Sequence, residues 1–564
     1  MKIVIVGGVA GGASAAARLR RLDEHAEIRI FERSGHVSYA NCGLPYYIGG
    51  TITDRHELTL QTPQSFRDRF NIDVLVRHEV QAIHPDRKTV TVQNLSTGET
   101  FEESYDKLIL SPGARPTVPP LPGTDLERMF TLRTVEDALR IREFALREQP
   151  KSAIIAGGGF IGIEIAENLR DLGIAVTMVQ RPKQLLKPLD PEMAAFVHNE
   201  MRAHGVCLNL GLSVEGFRAH GEHQVDVLIK DGEPLTADMV ILAIGVTPDT
   251  GLAKAAGIAL GEKGAIAVND YMETSIPDIY AVGDAVQIKN TVSGEVGLMS
   301  LAGPANRQGR VVADNICGRK VAYRGGQGSS IIKVFDLTAA STGINQGTAQ
   351  RLGIESDAVY LTPLNHAGYY PGGTGMTLKV VFEKKTFRLL GAQIVGGDGV
   401  DKRIDVLATA IHAGLRGTEL AELHLAYAPP YSSAKDPVNL AGYMMQNLED
   451  GVLKQFHLAE LDGLPRDGSV TLLDTRTAWE YGNGHCEGFI NIPVDELRGR
   501  MKELDPAKPV YVMCQSGLRS YVAVRMLEGA GFTAYNFSGG YQLVSAVTTD
   551  AVAVASIYPC GMPR

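Results

Sequence analysis

Two stretches of this chain follow one pattern, and that repetition restricts the fold more than any other feature. Residues 2–32 run as an apolar strand "KIVIV", a glycine turn, a helix "ASAAARLRRL" and a strand "IRIFER". Residues 152–181 repeat the order as "SAIIA", "GGGFIG", "IEIAENLRDL" and "AVTMVQR". Strand, glycine turn, helix and strand of these lengths make a βαβ unit, whose turn can present backbone N–H groups to a diphosphate. Two such units predict two nucleotide cofactors in an α/β chain. A length of 564 residues suits three or four domains. The domains expected are one dinucleotide domain at 1–115 and 247–324, a second at 116–246, and an α+β domain at 325–447. A polar linker at 448–465, a further α/β domain at 466–545 and a tail at 546–564 complete the chain.

A net charge of −9 argues against nucleic acid as the main partner. Six cysteines, with no C-x-x-C pair among them, disfavour zinc or a thioredoxin-type dithiol, so no metal is expected. So few cysteines in so long a chain read as reduced, which points to the cytoplasm. The opening "IVIV" is too short for a signal peptide and breaks at once into glycines. No stretch approaches membrane-spanning length.

In the second turn, Gly157, Gly159 and Gly162 stand in G-x-G-x-x-G order, with Phe160 and Ile161 opening the helix. The first glycine makes the turn, the second lets backbone N–H groups reach a pyrophosphate, and the third allows close helix–strand packing. Gln180 stands where an acid would grip a ribose 2′-hydroxyl, and Arg181 follows, so NADPH is admissible beside NADH. The first turn is less regular. Gly7, Gly8, Val9, Ala10, Gly11 and Gly12 still form a diphosphate turn, and Glu32 ends the next strand in position for an adenosine ribose. Asp284 in "AVGDA" suits a flavin ribityl chain, or equally a helix N-cap.

These pieces, in order over residues 1–447, resemble the flavoprotein disulfide reductases with two dinucleotide domains. Within that group "VGGVAGGASAAARLRR", "SYANCGLPYYIGG" and "YAPPYSSAKDPVN" resemble the coenzyme A-disulfide reductases and their persulfide-reducing relatives. The resemblance implies two Rossmann-like domains, the first holding FAD and the second NAD(P)H, followed by a dimerisation domain that makes a homodimer. It extends the cofactor contacts to Arg33, Val80, Gly113, Ala302 and Gly245.

Dithiol members carry C-x-x-x-x-C, whereas here Cys42 is followed at position 47 by Tyr47. A lone thiolate can still accept electrons if it borrows its partner: a sulfenic oxygen, a substrate thiol or a sulfane sulfur. Ser38 and Asn41 are candidate caps of a helix beginning at Cys42, with Pro45 in its first turn, and that dipole would lower the thiol pKa. Arg18 and Arg21 share a helix face, either solvated or suited to the phosphates of coenzyme A. The resemblance assigns coenzyme A contacts to Ser14, Arg18, Arg21, Ser38, Asn41 and Asn306. It also brings Tyr369, Tyr427 and Lys435 from the partner subunit; Tyr370 is the alternative to Tyr369.

"LLDTRTAWEYGNGHCEGFINIP" and "VMCQSGLRSYVAVRML" resemble a rhodanese domain. The loop from Cys514 to Arg519 lies between a strand and a helix, where successive N–H groups form an anion cradle. Arg519 is expected to add positive charge. Asp474 and Arg476 read as a structural pair, and Cys207, Cys317 and Cys486 as packing residues. The combined reading is an FAD- and NAD(P)H-dependent reductase of coenzyme A disulfide, coenzyme A persulfide or polysulfide, joined to a sulfurtransferase. Its rivals are an NADH oxidase or peroxidase cycling Cys42 through a sulfenic acid, and a sulfur-relay protein working through Cys514.

Overall fold

The computed structural model describes residues 1–555. Cys560 and the rest of the tail lie outside the described residues. The chain divides into two compact units, one of residues 1–183 with 205–326, the other of residues 184–204 with the chain from 327 onward.

Both dinucleotide sheets lie in the first unit. The first is five-stranded and parallel, in the order Ile279–Ala281, Lys107–Leu110, Lys2–Val6, Glu27–Glu32, Asp73–Val76. Ile3, Val4, Ile5, Ile30, Leu108 and Ile109 are wholly buried, as strands covered on both faces require. Strand order reverses around Lys2–Val6, and ligands of such sheets bind outside the strand ends at that reversal. The second sheet, also parallel, runs Cys207–Leu210, Ala175–Gln180, Ser152–Ala156, Met239–Leu242, Met129–Thr131. The proline-ended stretches after the strands Lys107–Leu110 and Met239–Leu242 pair with each other, Ala114–Pro116 against Val246–Pro248, antiparallel.

The two glycine turns are built alike. Gly7 and Gly157 have φ of +93° and +118°. A side chain on Gly12 would fall 1.9 Å from the Gly7 carbonyl oxygen, and one on Gly162 2.1 Å from that of Gly157. Glycine is therefore compelled at the last position of both turns, 12 and 162, by the approach of helix to turn. The position that differs in sequence, Val9 against Gly159, is the residue immediately before each helix, Ala10–Leu22 and Phe160–Asp171.

In the second unit an antiparallel sheet runs Ser330–Val334, Leu337–Gly343, Leu389–Gly396, Met376–Glu383, Ser356–Leu361. The helix Pro191–Ala203 belongs with it. Buried Asp190 at its start takes hydrogen bonds from Lys379 Nζ and Gln393 Nε2, each at 2.6 Å. His198 Nε2 accepts from the Leu185 amide at 3.0 Å, which leaves Nδ1 to donate to Asp550 at 2.8 Å.

The last sheet is parallel, in the order Gln455–Phe456, Ala534–Phe537, Val510–Met513, Thr471–Asp474, Ile490–Asn491. The stretch 448–465, expected to be a linker, therefore contains the edge strand of this sheet. Phe456 is 1 % exposed there, and buried Leu461 and Leu464 join it in the same core, so a few apolar side chains tie this polar stretch into the domain. The tail expected from 546 begins inside the helix Gly540–Ala555.

Candidate active site

A cavity of about 820 Å³ opens where the first sheet reverses, within the size range of small-molecule sites. Gly7, Val9, Ala10, Gly11, Glu32, Arg33, Val80, Gly113, Asp284 and Ala302 line it, and so do Ser14, Ser38, Asn41, Asn306 and Cys42. Residues expected to hold a flavin and residues expected to hold coenzyme A thus share one wall-to-wall space. Gly8 and Gly12 sit behind the lining. The glycine cradle, which a Cβ would fill, fits a diphosphate at the helix N-terminus.

Several of these groups already have partners. Each Glu32 oxygen accepts one backbone amide, from Gly8 and from Ser34, both at 2.9 Å, leaving lone pairs for a ribose. Asp284 pairs with Arg133 at 2.6 Å. Arg33 reaches Asp249 at 2.8 Å. Ser14 donates to Asn306.

Arg18 was expected to serve phosphates, but its Nε and NH2 both bind Asp314, at 3.1 and 2.7 Å. Arg319 Nε lies 3.4 Å from the same carboxylate, so two guanidiniums share one acid and the group keeps a net positive charge. Arg21 is exposed on the same helix. Arg20 turns inward, where its guanidinium donates to the carbonyls of Phe70, Asp23, Glu24, Ala26 and Asn71. Asn41 Oδ1 is buried without a hydrogen-bond partner, a polar atom left over at the cavity edge.

Cys42 does not begin an α-helix. It lies in a short 3-10 turn, Asn41–Gly43, ahead of the helix Leu44–Gly49, and no side chain caps either. Pro45 does occupy the first turn. Nor is the thiol lowered by the protein around it. Desolvation raises it above its usual value, Glu164 and Asp284 raise it further, and Arg133 opposes them. The sulfur is free and exposed at the cavity wall even though low-dielectric protein surrounds the turn. Burial, with Glu167 nearby, pushes the Glu164 carboxyl up to about 7. Tyr46 is pushed up to about 12 by burial, then by Glu164, Glu167 and Cys42. Glu164 and Arg133 escape a sequence reading because neither stands in a motif.

At the second turn, the space beside Gly159 and Gly245 is open, which leaves backbone accessible to a pyrophosphate. Gln180 Oε1 accepts from the Gly158 amide at 3.0 Å and so closes the turn, and Arg181 is exposed.

In the second unit, Tyr369 and Tyr427 share a hydroxyl–hydroxyl hydrogen bond of 2.7 Å. That bond raises the Tyr369 hydroxyl. Tyr369 is 75 % exposed, whereas Tyr370 turns edge-on against the buried ring of His366. Buried Arg403 knits the two tyrosine loops, with NH2 donating to the Asn365 carbonyl at 2.8 Å, to Ser432 Oγ at 3.1 Å and to Asp436 at 3.0 Å. Lys435 is exposed nearby in sequence.

Cys514 is wholly buried at the end of the strand Val510–Met513. Its sulfur accepts from the Gly517 amide at 3.1 Å and from Ser520 Oγ at 3.3 Å. Arg519 does not offer its charge freely: both terminal nitrogens bind Glu480. Arg476 and Asp474 form the buried pair, with NH2 to Oδ2 at 2.8 Å. Cys486 is half-buried in the domain core and burial pushes its thiol up to about 11, whereas Cys317 follows the helix Ala302–Ile316. Cys207 is disulfide-bonded, against the expectation of a reduced packing thiol. No helix among the described residues is long and apolar enough to cross a membrane.

Three family profiles match the chain. The pyridine nucleotide-disulphide oxidoreductase profile matches residues 1–309, its dimerisation domain residues 329–437, and a rhodanese-like domain residues 457–546. The coenzyme A disulfide reductase of Staphylococcus haemolyticus is 40% identical over 79% of this chain and all of its own length. The structure of reduced CoADR-RHD from Bacillus anthracis superposes with a TM-score of 0.94 at 48% identity, over 97% of this chain and 98% of that one. That of a NAD-dependent persulfide reductase from A. fulgidus gives 0.90 at 38% identity, over 96% and 100%.

Proposed function

Because the chain belongs to the pyridine nucleotide-disulphide oxidoreductases and carries a rhodanese-like domain, we propose that it reduces coenzyme A disulfide and coenzyme A persulfide or polysulfide with NAD(P)H. The observation that carries this reading is a single free cysteine, Cys42, exposed in the same cavity as the glycine turn, Asp284 and the polar group Ser14, Asn41 and Asn306. FAD would be held in that cavity by the turn at Gly7–Gly12, Glu32 and Asp284, and with NAD(P)H in the second domain would supply the two electrons that return Cys42 to its thiolate and free the sulfur bound to it as the second coenzyme A thiolate or as sulfide.

The protein's own groups do the rest. The Cys42 thiolate attacks one sulfur of the incoming S–S bond. A new S–S bond to Cys42 forms, the old one breaks, and the electron pair leaves on coenzyme A thiolate or on sulfide. Exposure of the sulfur at the cavity wall allows the in-line approach this needs. The leaving thiolate takes a proton or hydrogen bond from Tyr369 or Tyr427, reaching in from the other subunit of a homodimer. The 2.7 Å bond between their hydroxyls supports a paired role, since one can donate outward while accepting from the other. Ser14, Asn41, Asn306, Arg21 and the partner's lysine at 435 hold the coenzyme A carrier. Cys514 takes or returns sulfane sulfur, stabilised as an anion by Gly517 N–H and Ser520.

The likeness to CoADR-RHD and the persulfide reductase runs through both the reductase and rhodanese parts, which favours this reading over an oxidase working through a sulfenic acid. The test is anaerobic NADH oxidation by the purified protein with coenzyme A disulfide or coenzyme A persulfide, against aerobic oxidation with neither. Turnover with the sulfur substrates well above that with oxygen is expected, and the reverse ranking would replace the reading by the oxidase.

A further inference from the structure

Arg519 is the basic residue of the Cys514 loop, and both its terminal nitrogens are committed. NH1 and NH2 donate to Oε2 and Oε1 of Glu480 at 2.7 and 2.6 Å, the fork-to-fork geometry of a strong carboxylate pair. The hydrogen bonds from Arg519 lead in holding the Glu480 carboxyl down to about 2, so it stays charged at any working pH. Glu480 is placed by its own helix, Ala478–Gly482, where it closes a capping box with Thr477. The second guanidinium at this mouth, Arg476, is spent on buried Asp474. Two cations therefore face two carboxylates.

A cavity of about 610 Å³ lies beside the loop, bordered by Arg476, Trp479, Glu480, Gln515 and Tyr541. Trp479 is 77 % exposed, and Leu518, which opens the helix Leu518–Gly529 after the loop, 68 %. Exposed apolar groups of this size at a reactive loop suit an organic carrier. The mouth thus offers ring, aliphatic and amide surface with its positive charge already balanced.

From this arrangement we infer that Glu480 is the specificity-determining residue of the Cys514 site: by balancing Arg519 it directs the site to persulfides carried on organic thiols and away from small inorganic dianions such as thiosulfate. The inference rests on the reading of Cys514 as the sulfur-transfer residue. With either donor the Cys514 thiolate attacks the outer sulfur. A bond from Cys514 to that sulfur forms, the donor's S–S bond breaks, and the electron pair leaves as an organic thiolate or as sulfite. At its reacting sulfurs a protonated persulfide brings no charge, whereas thiosulfate brings two negative charges close against a thiolate, which an unbalanced arginine would offset and a balanced one does not.

The experiment measures, on the holoenzyme, alkylation of Cys514 by iodoacetate and by iodoacetamide, resolved by peptide mapping. The two reagents differ in charge and little in size, so their rate ratio reads the potential at the sulfur. Glu480→Gln keeps the capping oxygen and removes the charge; it should raise the iodoacetate-to-iodoacetamide ratio by on the order of fivefold and lower the KM for thiosulfate with little change in kcat. Arg519→Gln should shift the ratio the other way, and the double variant should return it to the wild-type value. A ratio unchanged or lowered in Glu480→Gln overturns the inference; if that variant does not fold, an Arg519→Gln ratio at or above wild type does so. Cys514→Ser separates the premise from the inference: sulfur transfer surviving in it refutes the role of Cys514, while the alkylation ratios still judge the electrostatics.

Discussion

Cys42 and Cys514 occupy opposite environments. Cys42 is exposed on a 3-10 turn at a cavity wall, and desolvation, with the nearby acids Glu164 and Asp284, raises its thiol. Cys514 is buried and its sulfur has two donors in place before any substrate arrives. The contrast follows from what each site must stabilise. A loop that stores a sulfane sulfur has to hold an anion on its own, and successive N–H groups do that. A cysteine that exchanges sulfur with an incoming carrier needs access first, and it receives its cofactor and proton donors from elsewhere.

The sharpest way to break this comparison is to exchange each nucleophile. Cys42→Ser should keep FAD bound, read from the flavin absorbance, and lose coenzyme A disulfide reduction by at least about 10³-fold. Cys514→Ser should leave that rate nearly intact while abolishing sulfur transfer. Equal losses in both variants would mean that the sites work as one.

Next in size are the tyrosines. Tyr369→Phe and Tyr427→Phe should each lower kcat with coenzyme A disulfide by roughly 10²–10⁴-fold. Because one hydrogen bond joins the hydroxyls, the double variant should lose little more than either single one. Additive losses in a double-mutant cycle would show that the two act independently.

Ser520→Ala removes one of the two donors to the Cys514 sulfur. A bond worth about 1 kcal/mol corresponds to a roughly fivefold slower alkylation of Cys514 by iodoacetamide at fixed pH. Alkylation at the wild-type rate would assign the stabilisation to the Gly517 amide alone.

The smallest effect is expected from Glu164→Gln. Its carboxyl is raised to about 7, so in the wild type the neutral form dominates below that pH and the charged form above it. Charged Glu164 raises the Cys42 thiol, hence the variant should alkylate at Cys42 with a pH profile displaced to lower pH. The same shift works on stability. A carboxyl whose folded pKa is raised favours the fold fully below its unfolded value and loses that contribution as pH rises through about 7. Thermal midpoints of the variant should therefore fall less between pH 5 and pH 8 than those of the wild type.

Much of this site was legible from local spacing. The backbone clash that requires Gly12 and Gly162, against the carbonyls of Gly7 and Gly157, lies within a single turn, whereas the one that requires Gly7 and Gly157 comes from Ser111 and Ala243, far along the chain. The Cys514 loop is contiguous, so its cradle could be placed from the residues alone, whereas the Ser520 hydroxyl as a donor to the sulfur appears only in the structure. The helix cap expected at Cys42 was misjudged because cap-forming residue types were present without the geometry; the chain enters the helix through a 3-10 turn instead. The polar stretch 448–465 misled because only Gln455 and Phe456 pair there, and their partners Asn536 and Phe537 lie far along the chain.

The sequence by itself determined the two glycine turns ahead of their helices and the contiguous Cys514 loop, because those features depend on backbone and side-chain types a few residues apart. Tertiary structure decided which charges remain available. Arg18 is paired with Asp314, 296 residues away, which Arg319 shares, and Arg519 is balanced by Glu480, 39 residues away. Coulomb interaction depends on distance in space, and no spacing along a chain encodes it once the chain has folded back on itself.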